Sequence, residues 1–72
     1  MKDALQVIKD NLEAVISMFG EELINNPHCT YATQAMAYWG LISQIAGRDK
    51  AAEYLQEEVF SKFPTIHLFF NR

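Results

Sequence analysis

The side chains with the greatest chemical potential in this sequence are His28-Cys29, His67 and two carboxylate pairs, Glu21-Glu22 and Glu57-Glu58. A thiolate nucleophile needs a base within hydrogen-bond reach and a third group to orient that base. His28 and Cys29 are neighbours in the chain at a helix start, where adjacent side chains diverge. Cys29 is therefore read as a structural thiol, buried or half-buried. Metal binding would have to gather His28, Cys29, His67 and a carboxylate from distant segments. Paired ligands at zinc-like spacing, CxxC or HxxxH, do not occur. The carboxylate pairs are raw material for acid–base work, which needs a site that drives two pKa values apart. Here they fall on predicted wet faces. Gly20, Gly40 and Gly47 are too far apart to form a phosphate loop. The expectation is no catalytic residue, no cofactor and no metal.

Nucleic acid is the alternative that the chain order invites. SQIAGRDKAAEYLQEEV has the outline of helix, turn and recognition helix, which would make the protein a DNA- or RNA-binding transcriptional regulator. Recognition helices offer basic and amide groups to phosphates and bases. This one offers Glu53, Glu57 and Glu58 against Lys50 and Lys62. The six Lys and Arg residues are scattered singly, and the net charge is −3. Nucleic acid is thus an unfavourable partner. The same AGRDKAAEYLQ turn has the residue flavour of a tetratricopeptide helix pair at Ala51, Tyr54 and Leu55. Glu58 stands where that repeat wants a small residue, and no second copy follows, so the family is not assigned.

The elements that would carry these groups are helices. Leu5, Ile8, Leu12, Val15, Ile16, Phe19 and Leu23 recur every three or four residues, which predicts an amphipathic helix over about 4–25 with Asp3 as its cap. Lys9, Asp10, Glu13 and Ser17 fall outside that stripe, and Gly20 weakens the helix without ending it. Asn25-Asn26-Pro27 breaks the chain. A second helix is predicted over 30–46, capped by Asn26 or Thr30 and stopped by Gly47. One of its faces carries Ala35, Tyr38, Trp39, Ile42, Ile45 and Ala46 and reads as core. The other is small, with Thr33, Ala37, Gly40 and Gly47. Gly inside a helix costs up to about 1 kcal/mol relative to Ala, so Gly40 implies close approach of another backbone. No charge occurs from Thr30 to Gly47, so this helix is expected to be central and covered on most sides. Asp49 caps a third helix over 50–62, with Ala52, Leu55, Val59 and Phe63 inward and Glu58 to Lys62 as an i,i+4 pair. Pro64 ends it. The 65–72 tail is apolar and ambiguous between a helical turn, an extended arm and a strand.

The fold class expected is therefore all-α, a compact three-helix bundle in one domain over 1–72. Half of the 72 residues are hydrophobic and 12% are aromatic. Disorder is excluded by that hydrophobicity, and disulfide scaffolds by the single cysteine. No membrane span or leader is visible, so the expected setting is cytoplasmic. So short a chain encloses little. Cores of this size rarely supply more than about 3 to 5 kcal/mol unaided. The apolar surplus implies a protein-binding surface built from Tyr31, Ala37, Gly40, Phe60, Phe63, Phe69 and Phe70. Its expected partner is a second copy in a homodimer, or another protein. The function expected is that of a small regulator, adaptor or inhibitor, of bacterial or phage type by its size.

Overall fold

A computed structural model describes residues 3–71. Those residues are helical almost throughout, and no strand occurs among them. Helix α1 covers Ala4–Asn25, capped by Asp3, whose carboxylate accepts the Gln6 N–H at 2.8 Å. Its buried residues, Leu12, Ile16 and Leu23, lie on the predicted stripe. The helix kinks at Phe19 (φ −130°, ψ 21°) but resumes, and Gly20 beside it lowers the cost of the departure. Helix α2 covers Thr30–Ala46. Cys29 caps it, not Asn26 or Thr30. The Cys29 Sγ accepts the Ala32 N–H at 3.4 Å, a weak bond that a hydroxyl would make better. Gly47 ends it at φ +91°, a conformation that favours glycine.

Helix α3 runs over 48–62 as α-helix Arg48–Tyr54, a π-helical turn Leu55–Val59 and a last α-turn Phe60–Lys62. It starts two residues before the predicted position. Asp49 lies within its first turn, where a carboxylate favours the dipole, and makes no side-chain cap. Its inward stripe is Ala51, Tyr54, Leu55 and Val59, whereas Ala52 is exposed. Leu55 and Val59 lie inward as predicted; at the start of the stripe the inward alanine is Ala51, not Ala52, because alanine at both positions gives no contrast.

The tail settles into a fourth helix. A 3₁₀ turn at Pro64–Ile66 leads into α4, His67–Phe70. Proline fits the first position of such a turn because its missing N–H costs nothing there. Ile66 is 1% exposed and Phe69 5%, so the last turn belongs to the core. Phe70 completes an aromatic cluster, edge-on to Phe69 at 5.0 Å and to Trp39 at 5.8 Å between centroids. The architecture is thus all-α with four helices, one more than expected.

Helix α2 is not covered on most sides. Ala32, Ala35 and Ile42 are buried, but Ile45, expected in the core, is 52% exposed, and Trp39 is only half-buried. The other three helices, one of them the four-residue α4, have too few side chains to surround α2, which is clasped from one side.

Docking of α4 has a direct test. Phe69→Ala should lower unfolding free energy by about 3 to 5 kcal/mol, and Leu68→Ala, at a 52% exposed neighbour, by no more than about 0.5 kcal/mol. Equal effects in urea denaturation would place the tail outside the core.

Candidate protein interface

The groups with chemical potential are dispersed. His28 is exposed, Cys29 is occupied as a cap, and His67 places Nδ1 2.6 Å from the Pro64 carbonyl oxygen with its ring edge-on to Phe60. Glu21, Glu22, Glu57 and Glu58 are all exposed. Among the described residues no three His, Cys, Asp or Glu side chains gather as metal ligands would.

The polar cluster that does assemble joins α1 to α3. Glu13 accepts the Tyr54 hydroxyl on Oε2 at 2.7 Å and the Lys62 ammonium on Oε1 at 2.7 Å. Lys9 Nζ sits 4.6 Å above the Tyr54 ring centre, a cation–π arrangement. Glu13 was expected on a wet face, and Lys62 in a pair with Glu58. Both expectations looked along single helices, and the partners came from across the bundle. Burial drives the Tyr54 phenol above its ordinary value of 10.0, helped by its bond to Glu13. The same carboxylate raises the Lys62 ammonium above 10.5. At neutral pH the phenol is a pure donor and the lysine is charged. The cluster acts as a clamp.

The residues expected at an interface take up three situations. Tyr31 is half-buried and stacks on Phe19 across α1 and α2, with centroids 3.6 Å apart and planes 6° from parallel. Phe60, Phe63 and Phe70 are half-buried around the core, and Phe69 is interior. Only Ala37 is exposed, while Gly40 is half-buried. No backbone approaches Gly40, since a methyl group added there would meet nothing within 4 Å. Within the chain, then, the aromatics are largely spent on closing the core. What stays outside is aliphatic: Val7, Met18, Met36, Leu41, Ile45 and Leu68, from 43% to 72% exposed. These residues sequence reasoning missed. Helical spacing would have found them, since Val7 and Met18 lie opposite the α1 core stripe.

An open groove of about 650 Å³ runs beside the α1 kink, between Met18, Phe19 and Gly20 on one wall and Phe63, Pro64 and Thr65 on the other. Its walls mix polar and apolar groups and hold no convergent donor set. Comparison with protein-family models, curated proteins and solved structures finds no match to this chain.

Two measurements follow from these geometries. Raised folded pKa values make the Tyr54 and Lys62 contributions complete below about pH 10 and progressively lost above it. Tyr54→Phe should cost about 1 to 2 kcal/mol at pH 7 and flatten the decline in melting temperature above about pH 10. An unchanged alkaline profile would remove the clamp from the energetics. Separately, Gly40→Ala should stabilise dilute protein by about 0.5 to 1 kcal/mol, because helix propensity improves without a clash. A loss in thermal melts would reveal a neighbour at that position.

Proposed function

We propose that this chain is a small non-catalytic helical interaction protein, a regulator, adaptor or inhibitor that works by presenting apolar surface to other proteins, its own copy included. One observation carries the reading. A 72-residue body that packs its aromatics against the core, most of them half-buried, still leaves six large aliphatic side chains 43% to 72% exposed, three of them on the charge-free helix α2. Single exposed leucines are ordinary, but Leu41 and Ile45, four residues apart on one face of α2, are neighbours, and such a grouping on a body this small supports a contact surface. Methionine, present at Met18 and Met36, suits such surfaces because its flexible thioether adapts to the shape it meets.

The charge arrangement supports a protein partner over nucleic acid. Lys9 and Lys62 are engaged with Tyr54 and Glu13, and Arg48 and Lys50 are exposed beside Asp49 and Glu53. No basic stripe forms among the described residues to track a phosphate backbone. No described helix is long and apolar enough to cross a membrane, which accords with the cytoplasmic setting proposed here.

Folded protein at low concentration should brighten an environment-sensitive naphthalene sulfonate dye, and it should pass through a heparin column at low salt. A folded chain that leaves the dye dark has no such surface, and salt-sensitive heparin retention would redirect the reading to nucleic acid.

A further inference from the structure

Resting on that reading, we infer that the side of the α1–α2 hairpin facing away from α3 is a self-association face, on which two copies pack as a four-helix bundle. The Glu13 and Lys9 contacts to Tyr54 and Lys62 place α3 on one flank of α1, and the Phe19–Tyr31 stack places α2 on the other. At about 100° per residue, the α1 positions turned outward beyond α2 are Val7, Asn11 and Ala14, and all three are exposed. The corresponding α2 positions are Gln34, Leu41 and Ile45, also exposed, with half-buried Tyr38 between them. The spacings are 4-3 on α1 and 4-3-4 on α2, the knob pattern of left-handed helix packing.

Charge selects the occupant. A two-fold interface sets a surface against itself, so any charged patch meets its own sign. The chain carries −3 overall, and α3 lines its water side with Glu53, Glu57 and Glu58. Between Asp3 and Glu21 the outward positions of α1 next to α2 hold no charged residue, and α2 has none at all. Such a face repels nothing in its own copy and steers no charged partner toward it. Its polar groups, the Asn11 and Gln34 amides, each both donate and accept, so each can pair with its own kind. A stable two-fold interface takes about 800 Å² per partner, about one sixth of the 4809 Å² accessible surface.

Sedimentation equilibrium at micromolar concentration tests the face, with circular dichroism confirming that each variant is folded. The unmodified chain should sediment at twice 8.3 kDa. Leu41→Glu and Ala14→Glu, both on exposed helical positions, should each return it to 8.3 kDa, with association weakened at least about tenfold. Mixing Leu41→Glu with Leu41→Lys should restore the doubled mass. Met36→Glu and Leu68→Glu, exposed apolar positions off this face, should stay dimeric. A dimer that survives the first pair and dissociates with the second overturns this face but leaves self-association standing. A monomer throughout that still binds dye overturns the second copy as occupant and leaves a different protein as partner. A monomer that leaves the dye dark removes the broader reading too.

Discussion

Everything in this molecule depends on closing a core with too few residues to close it comfortably. Three longer helices, a short fourth and a single cysteine give the chain neither the volume of a large interior nor a covalent staple. The solution is to spend the last turn of the polypeptide as a lid. Ile66 and Phe69 enter the core, and Phe70 bridges Trp39, Phe60 and Phe69 in a chain of tilted and edge-on rings. Aromatic rings suit that task because each covers a wide area at small entropic cost. Once they are committed inside, the surface is left to aliphatic side chains. The composition of the outer faces is therefore a consequence of how the inside was filled.

The same shortage explains why one polar cluster sits where two helices meet. Glu13 is screened from much of the solvent by Tyr54 and Lys62, and each of its oxygens accepts a charge-assisted or phenolic hydrogen bond. A carboxylate in that position without both donors would oppose docking of α3 on α1. With them, it fixes the register between α1 and α3. The π-turn at Leu55–Val59 lies between the two donors on α3. A single widened turn shifts every later side chain by about one position, which sets where Lys62 emerges relative to Tyr54.

Most of the secondary structure could be read from the amino acids, because the cues are local. Asp3 as cap, Pro27 as breaker and Gly47 as stop act within a few residues, and the α1 stripe has strong contrast. Errors arose where contrast was lost or where the cue lay elsewhere in the chain. Alanine at 51 and 52 hid the start of the α3 stripe, and the tail's conformation depends on a core that only other helices supply. Absence of charge on α2 was taken as burial, although an uncharged helix is also what a contact surface requires. The apolar surplus was legible in kind, but the large side chains left most exposed are aliphatic, whereas the aromatics expected at an interface are half-buried or, at Phe69, interior. Aromatics were counted as surplus because they are large, yet their size is what made them the better core-fillers.

Marginal stability and an outward apolar face are two sides of one equilibrium. A partner that binds only the folded state stabilises it by mass action, by about 2.7 kcal/mol when its concentration is a hundredfold above the dissociation constant. For a core worth about 3 to 5 kcal/mol, that gain is of the same order as the whole. Evolution can then leave the monomer under-filled, because the missing burial is supplied on association. On the association proposed above, the exposure of Val7, Leu41 and Ile45 is a share of the core held in reserve for the surface that would dock against it.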